Sequence, residues 1–284
     1  MKTLSAWLTI LLFGSGAFAQ SGISYNTEKP ELLKNESITG RVDFYKKFKS
    51  IRLGSRGVSV WLPPNYESDT ITRYPVLYLQ DGQSIFNAET QQFKSDWKAD
   101  ETADSLICAG AIEPIIIVAV NATLNRFTEY TPAAPKGEDY MYFLTQELKP
   151  FIDRRYRTLP GREHTAAGGS SAGGLLAFSL AWQHDSIYSK VISFSPSFEL
   201  LFFDYTETVK KSPPKALKIC FYHGGVGIEK DLQEGVEKMI ESLKEKGYEE
   251  GHDYIKLYGA DEKHFGPGWG NYFGPALEFL FGKE

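Results

Sequence analysis

The chain is poor in residues that cross-link or bind metals, with 2 cysteines and 5 histidines in 284 residues. Two cysteines cannot build the dense disulfide framework by which small secreted domains replace a core. Cys220 stands in an apolar, strand-like run and Cys108 in a helical one, which reads as two buried thiols rather than one disulfide. The histidines are His164, His184, His223, His252 and His264. No two stand a helical turn apart, so no helix presents a metal-binding pair, and neither a metal nor another cofactor is expected.

A strong charge of one sign is also missing. Lys+Arg 31 against Asp+Glu 36 leaves a formal net charge of −5, which supplies no basic field for nucleic acid or an anionic membrane. No run beyond the N-terminus approaches transmembrane length, and no repeat or linker interrupts the chain. Residues 20–284 are therefore expected to form one domain with a sizeable core. The N-terminus differs. Lys2, the apolar stretch Leu4 to Phe13 and the small-x-small site Ala17-Phe18-Ala19 read as a cleavable export signal over residues 1–19. No cysteine follows to carry a lipid anchor, so the mature chain is expected to be secreted or periplasmic, without a membrane partner. Asn35-Glu36-Ser37 and Asn121-Ala122-Thr123 match the glycosylation pattern, which matters only in a eukaryotic secretory route.

What is present is alternation. Ile38 to Lys49 alternates apolar Val42, Phe44 and Phe48 with polar residues, as a half-buried strand does, and Gly57 to Leu62 pairs with it. Then apolar strands alternate with helical stretches. The strands are Tyr74–Leu79, Pro114–Val120, Lys190–Phe194, Leu217–Tyr222 and Asp253–Tyr258. The helices are Asp96–Ala109, Tyr140–Ile152, Glu234–Lys246 and Tyr272–Phe281. This pattern means an α/β fold with a mainly parallel central sheet and helices on both faces. Phe198 to Pro214 is the one longer insertion and a candidate wall over the site.

The chain is organised around His164 to Leu176, which reads as a strand, a glycine turn and a buried helix. Within it, Gly169-Ser170-Ser171-Ala172-Gly173 is a G-x-S-x-G pattern. A glycine-rich loop satisfies that pattern easily; the strand before it and the apolar helix after it make it a nucleophile elbow, with the serine hydroxyl pushed out at a helix N-terminus. Glycines flank Ser171 at −2 and +2, whereas Ser170 would have Ala172 at +2, so Ser171 is the candidate nucleophile. It needs a base and an acid to orient the base. His264, just past the last strand, is the candidate base, with His223 at a strand end as its rival. Glu229 and Asp231, in the loop after Tyr222, are both candidate acids; Glu229 is favoured because it follows the glycine turn directly. Backbone N–H groups of Ala172 and Gln83 are the candidate oxyanion donors.

Tyr74 to Gln83, Gly169 to Gly174, Ser195-Pro196-Ser197 and His264-x4-Trp269 together resemble the esterase family of α/β-hydrolases, over about residues 38–282. That family includes feruloyl esterases of the carbohydrate-esterase type, enterochelin-type siderophore esterases, S-formylglutathione hydrolases and mycolyltransferases. The resemblance implies an α/β-hydrolase fold and a Ser-His-acid site that uses no metal, with Ser171, His264, Glu229, Gln83 and Ala172 at the matching positions. The longer turn Gly224-Gly225-Val226-Gly227 departs from the pattern and leaves the acid open. Export favours an ester met outside the cytoplasm. An aromatic rim of Phe127, Tyr130, Phe198, Phe202, Phe203, Tyr205 and Trp269 suits a hydroxycinnamoyl ring or stacked sugars, and Arg126 suits a carboxylate or phenolate. The expected function is a feruloyl esterase acting on a small-molecule or polysaccharide-linked ester. The alternatives are a siderophore trilactone esterase, an acyltransferase and a non-catalytic carbohydrate-binding relative.

Overall fold

The computed structural model describes residues 29–33, 37–86, 96–200 and 203–283. The export signal of residues 1–19, Asn35 and Phe202 lie outside them. The chain enters through an antiparallel set, β1 (Glu31–Leu33), β2 (Arg41–Phe48) and β3 (Arg56–Leu62). β4 (Val76–Gln80), β5 (Ile116–Val120), β6 (Thr165–Ser170) and β7 (Lys190–Phe194) follow. After a small separate hairpin, β8 (Glu199–Leu200) and β9 (Phe203–Asp204), the sheet ends with β10 (Lys218–Gly224) and β11 (Tyr254–Gly259). The sheet order is β1-β2-β3-β5-β4-β6-β7-β10-β11, parallel from β5 to β11. The chain steps from β4 to β5 on one side and then to β6 on the other. That reversal opens a crevice at the carboxyl ends of the strands.

β5 is Ile116-Ile117-Val118-Ala119-Val120, buried throughout, as a parallel strand covered on both faces must be. The helices are α1 (Ala99–Cys108), α2 (Arg126–Tyr130), α3 (Gly137–Tyr142), α4 (Lys149–Arg155), α5 (Ala172–Gln183), α6 (Thr206–Lys211), α7 (Glu229–Lys244) and α8 (Gly266–Phe281). A π-helical stretch, Phe143–Leu148, joins α3 to α4. Ala99 and Ala103 of α1 and Phe273, Leu277 and Leu280 of α8 fill one apolar layer. Tyr140, Leu144, Ile152, Leu176, Phe178, Val236 and Met239 fill the other. Helices thus cover both faces of a mainly parallel sheet, the α/β arrangement that the alternation predicts.

Several local expectations change. β2 buries both of its faces: Val42 packs in one layer with Phe44 half-buried, while Tyr45 and, after a register slip, Phe48 pack in the other. α7 begins at Glu229 rather than Glu234, because its first turn is polar and carries no apolar period. α8 begins at Gly266 rather than Tyr272; Pro267 is preset for a first helical turn although the glycines around it read as loop. Cys220 is buried but Cys108 is exposed, and both thiols are free. Among the described residues of the Phe198–Pro214 insertion, the large aromatic rings pack inward rather than over the crevice. Phe198 and Tyr205 are buried against Phe178, with ring centroids 5.1 and 6.1 Å away.

The loop after β5 is fastened from below. Arg56 at the start of β3 forms two hydrogen bonds of 3.1 Å to the carboxylate of Glu129 in α2, with both side chains almost fully buried. The guanidinium also lies 4.8 and 4.9 Å from the Tyr140 and Phe143 ring centroids. Glu129→Ala leaves that guanidinium buried and unpaired. It should cost about 3–5 kcal/mol of stability, read as a lower urea midpoint at unchanged slope; a loss below about 0.5 kcal/mol would show that the pair does not hold α2.

Candidate active site

Ser171 is the hinge between β6 and α5. Its φ of 57° and ψ of −128° lie in a region that L residues rarely occupy, at a cost of about 1–3 kcal/mol. The surroundings hold it there. Its N–H donates to the Phe194 carbonyl at 2.9 Å, and its own carbonyl accepts from Gly174 N at 3.0 Å and Leu175 N at 3.1 Å. The turn is tight enough to explain the pattern's glycines. A Cβ on Gly169 would lie 2.6 Å from the Gly173 carbonyl oxygen, and one on Gly173 would lie 3.1 Å from Asp81 Oδ2. From Ala172 to Trp182 every residue of α5 is buried, so the helix start is fixed behind Ser171. Ala172 is the first residue of that helix, where N–H groups have no intrahelical partner and the dipole is positive.

Gln83 comes to the same edge on a single 3-10 turn, Gly82–Ser84, which follows Asp81 at φ 58°. Its side-chain carbonyl accepts from Ala122 N at 2.9 Å. Arg126 and Tyr130, expected to face a substrate, hold this turn instead. Arg126 Nε and Nη2 bind the two Asp81 oxygens at 2.7 and 2.8 Å, and Nη2 reaches the Ser170 carbonyl at 3.5 Å. Tyr130 is fully buried, and its hydroxyl accepts from Asp81 N at 3.3 Å. Burial works against the Arg126 charge, but Asp81 outweighs it and holds the guanidinium pKa above its usual value. Phe127 is 71 % exposed beside them.

On the other side of the elbow, His264 Nδ1 and Glu229 Oε1 are 2.8 Å apart. Glu229 is fully buried at the first position of α7, and its Oε2 accepts from Gly224 N at 2.8 Å. Burial pushes the Glu229 pKa up; His264, the Ser195 hydroxyl and the Gly224 amide outweigh it and hold the carboxyl below its ordinary range. Asp231, the other candidate acid, is exposed. His223 turns away: its Nδ1 meets the Gly224 carbonyl at 3.1 Å, and its Nε2 lies 3.8 Å from Glu237. The two loops are tied together, since Gly225 N and Val226 N both donate to the Glu262 carbonyl, two residues before His264. Trp269, expected on the rim, is half-buried in α8. Its indole N–H donates to Ser195 Oγ at 2.9 Å, and its ring lies edge-on to His264 at 5.0 Å. Ser195 and Asp81 carry no role in the sequence beyond their places at strand ends and within the stretches that resemble the esterase family. Among the described residues no group of three His, Cys, Asp or Glu side chains is placed to hold a metal ion.

A serine on a strained strand-to-helix turn, with an acid-held histidine past the last strand, is the layout of an α/β-hydrolase. A family model described as "Putative esterase" matches residues 50–251; the chain belongs to that family and is a carboxylic ester hydrolase. An endo-1,4-beta-xylanase/feruloyl esterase of Xylanibacter ruminicola is 29 % identical over 176 residues, which are 62 % of this chain and 22 % of that protein. A ferulic acid esterase structure matches 84 % of this chain and 97 % of its own at a TM-score of 0.70 and 20 % identity. The enterobactin esterase FES of Shigella flexneri, solved in the presence of enterobactin, matches 83 % of this chain and 57 % of its own at a TM-score of 0.69 and 20 % identity.

Two outcomes follow from this geometry. Gly169→Ala must push the elbow helix off β6, so it should lose about 1–3 kcal/mol and most ester turnover; wild-type turnover at wild-type stability would mean the turn tolerates a Cβ. A depressed folded-state pKa means that Glu229 stabilises the protein above the ordinary carboxylate range and that this stability is lost as pH falls through the folded value. The stability gap between wild type and Glu229→Gln should therefore shrink on acidification in pH-dependent urea melts. A gap that stays constant would contradict it.

Proposed function

We propose that this chain is an exported serine esterase that releases hydroxycinnamoyl groups from plant polysaccharide, using Ser171, His264 and Glu229. The observation that carries the proposal is the 2.8 Å contact from His264 Nδ1 to a buried carboxylate. An Nδ1–H given to Glu229 leaves Nε2 as the free base, the tautomer that a serine nucleophile needs. Ser171 Oγ attacks the ester carbonyl while His264 takes its proton. The oxyanion that forms is met by the N–H groups of Ala172 and Gln83, each typically worth about 3 kcal/mol of barrier. His264 returns the proton to the departing alcohol. Water, activated by the same imidazole, then frees the acyl group from Ser171. Asp81 and Arg126 act behind this step by holding the turn that carries Gln83.

The acyl preference is supported by the sequence relation to a xylanase/feruloyl esterase and by the exposed ring of Phe127. An N-terminal signal over residues 1–19, preceding one domain over residues 20–284, fits a polysaccharide substrate outside the cell. Among the described residues no helix is long and apolar enough to cross a membrane. The trilactone reading has the enterobactin-esterase fold relation behind it. Yet Arg126, which reaches the Ser170 carbonyl, has its guanidinium committed to Asp81 rather than to an anionic ligand. A panel of methyl ferulate, feruloylated arabinoxylan, an acetyl ester and enterobactin, run on wild type and Ser171→Ala, tests both levels. Wild type should release ferulate, and Ser171→Ala should lose on the order of a millionfold in turnover. Turnover of enterobactin with ferulate esters untouched would overturn the substrate, and full activity in Ser171→Ala would overturn the mechanism.

A further inference from the structure

We propose that Ser195, backed by Trp269, is a positioning residue that sets the charge state and orientation of the Glu229–His264 pair. This rests on the reading of Ser171, His264 and Glu229 as the catalytic set. Ser195 stands at the carboxyl end of β7, the strand between β6, which leads to Ser171, and β10, which leads to Glu229. The end of β7 is pinned on both sides. The Phe194 carbonyl accepts from Ser171 N at 2.9 Å, and Ser195 N donates to the Tyr222 carbonyl at 2.6 Å. Ser195 is fully buried and has a φ of 42°, a left-handed conformation that glycine would adopt without strain. A serine kept in such a position points to a use for its hydroxyl.

The chemistry of the partners fixes the direction of that hydroxyl. An indole N–H can only donate, so the Ser195 oxygen accepts from Trp269 Nε1 at 2.9 Å. The Ser195 proton is then available to Glu229, with which the hydroxyl interacts. Trp269 closes the circuit by lying edge-on to the His264 ring at 5.0 Å and an interplanar angle of 85°. A chain of contacts thus runs from Glu229 through His264 and Trp269 to Ser195, and the imidazole cannot rotate without breaking one of them. The other ionisable groups bearing on this region include Tyr222 of β10, Tyr272 of α8 stacked on it at 4.4 Å, and Glu262 of the loop before His264. Burial first, and then the charges of Glu229 and Glu262, keep Tyr222 protonated well above the usual range, so it does not titrate alongside the pair.

The sign of the effect follows. Without the Ser195 proton the Glu229 charge is less compensated, and the Glu229–His264 pair as a unit holds its proton more strongly. Ser195→Ala should lower kcat on 4-nitrophenyl acetate about 10–100-fold, the scale of a misplaced catalytic group, with KM nearly unchanged. The acidic limb of its kcat/KM profile should move to higher pH. Trp269→Phe keeps a ring beside His264 but removes the N–H, so it should move the limb the same way by less; it carries the test if Ser195→Ala does not fold. Wild-type kcat and an unmoved acidic limb in a folded Ser195→Ala, whatever its melting temperature, would reduce Ser195 to a structural residue and overturn the proposal. Ser171→Ala is run beside them. Retained turnover there would remove the catalytic reading itself and this proposal with it, a result distinct from the failure of Ser195 alone.

Discussion

A carboxylate with no exposure to water has to be surrounded by donors, and the carboxyl side of the site is arranged around that requirement. Glu229 is fully buried, yet its proton affinity is lowered, because His264, Ser195 and the Gly224 amide converge on it. Each of these donors comes from a different place: the loop after β11, the end of β7 and the end of β10. The parallel sheet brings the three together because its strand ends lie along one edge. The bridge between the glycine turn and the Glu262 carbonyl then fixes the distance between the acid and histidine loops.

The elbow side is held by a second charged pair. Asp81 sits at a left-handed turn, and Arg126 binds both of its oxygens from α2. That helix is anchored in turn by the buried Arg56–Glu129 pair, which ties it to the start of β3. Buried ion pairs add little net stability but are costly to break, so they suit a scaffold that must keep one geometry. Gln83 and Ala172, the proposed oxyanion donors, are thereby presented from two rigid supports, the anchored turn and the buried helix α5. An oxyanion site needs this rigidity, because donors that must reorganise during the reaction lose their advantage.

Much of the fold was legible because it depends on local patterns. β5 is apolar at every position, α5 is apolar on every side, and the glycines around Ser171 match a turn whose spacing is set by backbone contact. Structure departs from local pattern where polar or glycine-rich stretches enter helices, as at the first turns of α7 and α8, and in β2, where Val42 packs in one layer and Tyr45 and Phe48 pack in the other across a register slip. The aromatic rim was the weakest expectation. Phe198, Tyr205 and Tyr130 are buried, since a large aromatic ring in a chain of this size gains more by packing against the core than by facing solvent.

By itself the sequence determined the alternation of strands and helices, the glycine elbow at Ser171 and the order of the candidate serine, acid and histidine along the chain. These follow from periodicity and turn chemistry within a few residues. Tertiary structure alone decided that Glu229 and not Asp231 meets His264, that Arg126 serves Asp81 rather than open space, and that Ser195 and Trp269 join across 74 positions. Such pairings depend on which strand ends become neighbours in the sheet, and no local pattern encodes that.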